Sequence, residues 1–211
     1  MNKILIIILA VVAAAVGALV YQTQISNQQP EHALLYSTPR TLTNFELTDH
    51  NNQAFGNEQL IGKWTIFFFG YTSCPDICPV TLQEINYIYP ELKTLTNDNI
   101  QIAFVSADPN RDTVEKLNGY IRYFNEEFVA LRGGHDKLFP FARNLGLMYA
   151  ITDDTTQDYY MVNHSASLVM TNPKGQIQAI FKPIQQDPAQ IPSIDSEKLL
   201  ADFKIIHAKL N

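Results

Sequence analysis

The chain opens on an unbroken apolar run. Residues 4–20, ILIIILAVVAAAVGALV, carry no charge and follow a lone cation, Lys3. That length approaches the roughly 20 apolar residues that cross a bilayer as a helix. Residues 21–39 are polar, Gln-rich and aperiodic, which reads as a tether. From Leu42 the pattern turns to short alternating and continuous apolar segments. In NFELTDHNNQAF, Phe45 and Leu47 alternate with polar residues ahead of a turn at His50-Asn51-Asn52, which predicts a small hairpin. KWTIFFFG is a continuous aromatic and β-branched run closed by Gly70, as a buried central strand would be. VTLQEINYIYPEL sets Leu82, Ile85, Ile88 and Tyr89 on one helical face, and NIQIAFVSAD reads as a second strand. RDTVEKLNGYIRYF repeats Val114, Leu117, Ile121 and Phe124 at helical spacing, with Asp112 and Glu115 placed as a capping box. FVALRG predicts a short strand and KLFPFARNLGLMYA a helix broken at Pro140. ASLVMTNPKGQIQAIFK is a hairpin turning at NPKG, and DSEKLLADFKIIHAKL is a closing helix.

A hairpin, three strand–helix units, a second hairpin and a helix imply an α/β domain, a mixed central sheet flanked by helices. The order matches a thioredoxin-like fold with insertions. The chain divides into residues 1–21, a transmembrane anchor or signal peptide, residues 22–41, a flexible tether, and residues 42–211, the folded domain. Val16-Gly17-Ala18 offers a cleavage site for the signal-peptide alternative. Both alternatives leave Lys3 on the cytoplasmic side and export the domain. No Cys follows the apolar run, which excludes a lipoprotein anchor. The composition, 46% hydrophobic and 17% charged, is that of a globular core. The net charge is -6, and the scattered Lys and Arg residues form no basic stripe, so nucleic acid is excluded as a partner. Nothing in the pattern calls for more than a monomer.

The candidate chemistry lies in FFFGYTSCPDICPV, which holds both cysteines, Cys74 and Cys78. It follows the predicted central strand, and in open α/β sheets sites lie beyond the carboxyl ends of strands. A helix starting near Ile77 places its N-terminus at these sulfurs, and helix N-termini favour the thiolate. A structural disulfide would close only a tiny loop and remove little chain entropy. A redox pair and a metal site both remain open. Structural zinc wants four ligands, and there is no second Cys pair. Two thiolates with one imidazole form a soft set of the kind that selects copper(I). Of the histidines, His32, His50 and His207 read as solvated surface residues, and His135 follows Gly133-Gly134 as a loop or helix-start residue. His164 directly precedes the strand ASLVM, where a thioredoxin-like sheet would bring it against the cysteine loop.

Three blocks, FFFGYTSCPDICP, SADPNRDT and VNHSASLVMTNPKGQI, resemble the signature segments of the Sco/SenC copper chaperones in order and spacing. The resemblance covers nearly all of residues 42–211. It implies a membrane-anchored thioredoxin-like protein that binds one copper ion, Cu(I) or Cu(II), through Cys74, Cys78 and His164. It also implies delivery of that ion to the copper site of cytochrome c oxidase subunit II, or reduction of that site's cysteines. Cys74 and Cys78 would then double as a redox disulfide served by a separate thiol reductant, with an upstream copper donor as a further partner. The implied location is the bacterial inner (cytoplasmic) membrane, single-pass, with the domain facing the periplasm. Asp108 matches an acidic position linked in the family to copper-site maturation or partner docking, and it could equally cap a turn. Asp76 also matches, with a solvated turn residue as its alternative. Residues 153–158 form an acidic loop that departs from the pattern. The competing function is a thiol–disulfide oxidoreductase. Against it stand three residues between the cysteines, Pro75, Asp76 and Ile77, in place of two, and no proline in Asn163-His164-Ser165-Ala166. A peroxiredoxin would place Thr at Tyr71. A copper or redox sensor would need the same site.

Overall fold

The computed structural model describes residues 3–157, 159–185 and 191–210. An N-terminal helix, α1 (Lys3–Asn27), precedes β1 (Ala33–Thr41), β2 (Glu46–Asp49), β3 (Ala54–Gly56) and β4 (Trp64–Gly70). Then come α2 (Ile77–Thr96), β5 (Ile100–Ser106), α3 (Val114–Phe124), β6 (Val129–Arg132) and α4 (His135–Leu145). The short strands β7 (Tyr149–Ile151) and β8 (Val162–His164) lead to β9 (Leu168–Thr171), β10 (Gln176–Phe181) and α5 (Ser196–Leu210). Eight strands make one mixed sheet in the order β1-β10-β9-β4-β5-β6-β2-β3, while β7 and β8 pair only with each other. The result is the expected mixed α/β architecture.

β4 sits inside the sheet, parallel to β5 and antiparallel to β9, and all seven of its residues are buried. Its alternation assigns the helices to faces. Phe67 and Phe69 point to α4, their rings 5.5 and 6.0 Å from Phe141. Phe68 and Trp64 point the other way, Phe68 toward Phe104 and through it Tyr120 of α3, Trp64 toward Phe203 of α5. Period-two side chains on a strand buried on both faces explain why this segment shows no hydrophobic alternation.

Several expectations change. Residues 33–41, read as tether, form β1, which pairs antiparallel with β10 and so belongs to the sheet. The entry to β1 is held by Asp202 of α5, whose carboxylate accepts the backbone N–H groups of Glu31, His32 and Ala33 at 2.9, 2.8 and 2.6 Å. A polar edge strand fixed by a carboxylate far along the chain leaves no local periodicity to read. The proposed capping box is absent: Thr113 caps α3, its hydroxyl accepting from the Lys116 N–H, while Asp112 turns inward. Pro140 does not break α4, which ends at Gly146 with φ 79°. Proline in a helix costs about 3 kcal/mol, yet the helix continues through it, the adjacent buried Phe141 packing its ring 4.3 Å from that of Phe45. The segment KLFPFARNLGLMYA, read as helix to residue 150, leaves the helix at Leu145 and opens β7 at Tyr149, and β8 has no counterpart in the sequence reading.

The apolar side chains of α1 from Ile4 to Val16 are exposed. Among the described residues no helix is long and apolar enough to cross a membrane. The end of the 4–20 run, at Leu19 and Val20, and Asp158 of the acidic loop lie outside the described side chains.

Candidate metal centre

The central strand stops at Gly70 for a steric reason. A Cβ there would stand 2.8 Å from Cys78 Sγ and 2.6 Å from Phe104 Cε2, so only glycine lets the sulfur lie against the strand end. The chain turns at once, the Cys74 N–H donating to the Tyr71 carbonyl at 3.1 Å, and enters α2 at Ile77. Cys78 thus falls in the first helical turn and is wholly buried, while Cys74 in the loop is 8% exposed. Both are free thiols.

The loop is fastened from beneath by a residue that the sequence reading assigned to a cap. Asp112 is wholly buried and accepts from Thr72 N–H at 3.0 Å, Thr72 Oγ1 at 2.5 Å and Ser106 Oγ at 2.6 Å. Lys116 reaches toward it at 3.8 Å and donates to Ser73 Oγ at 3.1 Å.

His164 arrives from the other side, at the end of β8 opposite Tyr149. Its Nδ1 lies 3.3 Å from the Ser165 carbonyl and its Nε2 3.4 Å from Cys78 Sγ. With its proton on Nε2 the ring can donate to the sulfurs; a metal taking the Nε2 lone pair would move the proton to Nδ1, where the Ser165 carbonyl accepts it. The rings of Phe68 and Tyr71 meet the imidazole edge-on at 6.0 and 5.9 Å and limit its rotation. The donor atoms of Cys74, Cys78 and His164 all lie within 4.8 Å of one another. No fourth His, Cys, Asp or Glu joins them among the described residues.

The two thiols are electrostatically unlike. The Cys78 thiol donates to the Cys74 sulfur, and this contact most of all lowers the Cys74 pKa to about 4. Burial opposes the shift, while His164 and the amides of Asp76 and Cys78 at the helix start support it. Cys78 is pushed strongly upward, first by burial and then by the adjacent Cys74 sulfur. One thiolate, one thiol and one imidazole therefore share a small dry space. Such a set can take a soft, low-coordinate cation, and the same two sulfurs can close to a disulfide.

The remaining candidates lie elsewhere. Asp108 is wholly buried and contributes no donor atom to the cluster. Its carboxylate pairs with Arg111 and accepts from Tyr160 Oη at 2.6 Å. Asp76 stands at the start of α2 without a side-chain capping bond. His50, expected at the surface, is buried, its Nδ1 accepting from the Ala130 N–H at 3.2 Å. His207 packs 5.8 Å from Trp64 and 5.9 Å from Phe203. His135 begins α4 and meets Tyr149 Oη at 2.8 Å. His32 lies at the entry to β1, 3.8 Å from Glu31. Sequence reasoning missed the roles of Arg111, Asp112 and Tyr160, although SADPNRDT, with its two acids flanking an Arg ahead of a helix, carried a signal for the first two.

A model of the SCO1/SenC family matches residues 35–198, which include Cys74, Cys78 and His164. The chain belongs to the SCO1/SenC family. A Stutzerimonas stutzeri protein whose name proposes it as copper-binding is 37% identical over 171 residues, 79% of this chain and 83% of that protein. Arabidopsis thaliana ScoI, solved with copper bound, superposes with a TM-score of 0.67 at 26% identity, covering 80% of this chain and 98% of that one. Bradyrhizobium japonicum ScoI, also solved with copper bound, gives 0.62 at 28% identity over 77% and 96%. The SCO1/SenC match begins inside β1, in agreement with a folded domain that starts before Leu42.

Proposed function

We propose that the protein is a copper chaperone that binds one copper ion through Cys74, Cys78 and His164. The observation that carries this reading is the convergence of two sulfurs and one imidazole nitrogen within 4.8 Å, brought together from α2 and its preceding loop on one side and β8 on the other. Two soft sulfurs suit Cu(I), and the nitrogen extends the set to Cu(II). Copper is cargo here, and no turnover is involved. It passes by ligand exchange to the copper site of cytochrome c oxidase subunit II, and it arrives from an upstream donor. A monomer suffices for this task. The uncharged apolar run of residues 4–20, whose last two side chains lie outside those described, supports a single-pass anchor in the bacterial inner membrane, the domain facing the periplasm.

A second reading rests on the unlike thiols. Cys74, held as a thiolate, attacks an acceptor disulfide, and Cys78 then closes on the mixed disulfide. The acceptor gains two electrons as Cys74 and Cys78 form a disulfide, one proton coming from Cys78 and the other from solvent, and an external thiol reductant reopens the pair. This step could prepare the acceptor's cysteines for metal.

The deciding experiment is anaerobic Cu(I) loading of the reduced chain under competition from a strong chelator. One tightly held copper per chain is expected, weakened in His164→Ala and lost in Cys74→Ser/Cys78→Ser. Copper retained by the double serine variant would place the site elsewhere. Reactive thiols without tight copper in the wild type would leave the oxidoreductase reading standing alone.

A further inference from the structure

We infer that Arg111 is a positioning residue that sets His164 against the two sulfurs, an inference that rests on the copper reading above. β7 and β8 form a sheet of their own with no ladder to the eight-stranded sheet, so the backbone pairing that fixes the cysteine side does not reach His164. Something else must fix it. Tyr160, four residues before His164, is held at its main chain, its ring and its hydroxyl by one ion pair. Arg111 Nη2 donates to the Tyr160 carbonyl at 3.0 Å, and the guanidinium lies 3.5 Å over the Tyr160 ring. Arg111 Nε donates to Asp108, and the other oxygen of that wholly buried carboxylate takes the Tyr160 hydroxyl at 2.6 Å. A slip of one residue in a strand turns its side chains to the opposite face. Tyr160 lies two residues ahead of β8, so holding its main chain fixes where the strand enters and thereby limits the positions His164 can take.

The same guanidinium also bears on the imidazole from the loop side. It stands 5.6 Å from the ring of Tyr71, whose own ring meets His164 at 5.9 Å. Lysine could keep the charge pairing with Asp108, but a point charge offers no plane to stack and no fork to bridge a carboxylate and a carbonyl. Asp108, unassigned among the donors, acquires a role as the anchor of Arg111. The connection closes on itself, because the Asp112 N–H that follows donates to the Asp108 carbonyl at 3.0 Å. One short segment thus holds both the cysteine loop and the histidine strand.

The test compares Asp108→Asn/Arg111→Gln, which removes both charges together, with Arg111→Lys and Tyr160→Phe, each also made in a His164→Ala background. In the copper(II)-loaded double variant, the electron paramagnetic resonance coupling from one imidazole nitrogen should vanish while one copper remains on the sulfurs. Affinity should fall by about 10- to 100-fold, the usual loss for an outer partner of a ligand. It should fall no further when His164 is already alanine. Arg111→Lys should recover part of the coupling, and Tyr160→Phe, which keeps the ring under Arg111, should lose the least. An imidazole coupling intact in the double variant would overturn the inference, as would an equal drop in the His164→Ala background. Should the wild type hold no copper, the copper reading falls by itself. The contact between the Tyr71 and His164 ring protons, read by nuclear magnetic resonance in the reduced metal-free chain, then still decides: its loss in the double variant supports the positioning role, and its persistence overturns it.

Discussion

The two halves of the candidate metal centre are built on different principles. The cysteine half grows out of the core: β4 is fully buried, α2 packs behind it, and Asp112 ties the intervening loop to the end of β5. The histidine half stands on a two-stranded sheet outside the main one and is attached through side chains, Arg111 to Tyr160, Tyr71 to Met161 and His164 to Cys78. The sulfurs are therefore placed by the fold, while the nitrogen is placed by contacts that single substitutions can remove. Under the proposed delivery role, such a division would let one ligand go without unfolding the other two.

The contrast predicts a graded series of effects. The largest belongs to Asp112→Ala, which leaves the Thr72 N–H, the Thr72 hydroxyl and the Ser106 hydroxyl without their acceptor in the core. Unmade buried hydrogen bonds cost about 1–3 kcal/mol each, so a total loss of about 3–4 kcal/mol is expected in urea denaturation. A loss below about 1 kcal/mol would mean that Asp112 does not hold the loop. Gly70→Ala comes next, at about 2 kcal/mol, because overpacking against Phe104 and Cys78 forces both to move. It should also slow closure of the Cys74–Cys78 disulfide, whereas an equally stable and equally reactive variant would contradict the steric account.

The third prediction concerns pH. Cys74 has its folded pKa lowered to about 4, so its thiolate persists as the pH falls and is lost only on approaching that value. Its alkylation by a small reagent should be nearly level between pH 6 and 8, where an ordinary thiol speeds up close to tenfold per unit. At pH 6 its rate should exceed that of an ordinary thiol by about 3- to 10-fold, since the gain in thiolate outweighs the lower nucleophilicity of a low-pKa sulfur. Mass spectrometry would read the rates at each cysteine, and a steep rise at Cys74 across this range would refute the assignment. The smallest effect is expected for Tyr71→Phe. It removes the hydroxyl that donates to Met161 Sδ at 3.6 Å and accepts from the Val162 backbone, and should cost about 1 kcal/mol. A loss well above that would show that the histidine half depends on the Tyr71 hydroxyl more than on Arg111.

The same division explains what the sequence revealed. The cysteine half was legible because its signals are local: a continuous apolar strand, a closing Gly70, and sulfurs just before a helical pattern. His164 was visible as a candidate through its place ahead of β9, although the strand that carries it, β8, is too short to show a period. β1 escaped notice because an edge strand with polar residues looks like a linker until its partners, β10 and Asp202, are known. Asp112 was misread for a related reason. Aspartate just ahead of a helix resembles a cap, and only the folded chain shows Thr72 and Ser106 converging on it. His50 followed the same pattern, a polar residue in a turn whose partner, Ala130, lies on a distant strand. Local chemistry could be read from spacing, while polar contacts across the fold could not.

The central claim is that Cys74, Cys78 and His164 together hold one copper ion. X-ray absorption of the reduced, copper(I)-loaded chain, paired with His164→Ala, tests it most directly. The account predicts one copper per chain with two sulfur scatterers and one imidazole nitrogen, the nitrogen disappearing in the variant. A copper shell unchanged by the loss of His164, or one without sulfur, would contradict it.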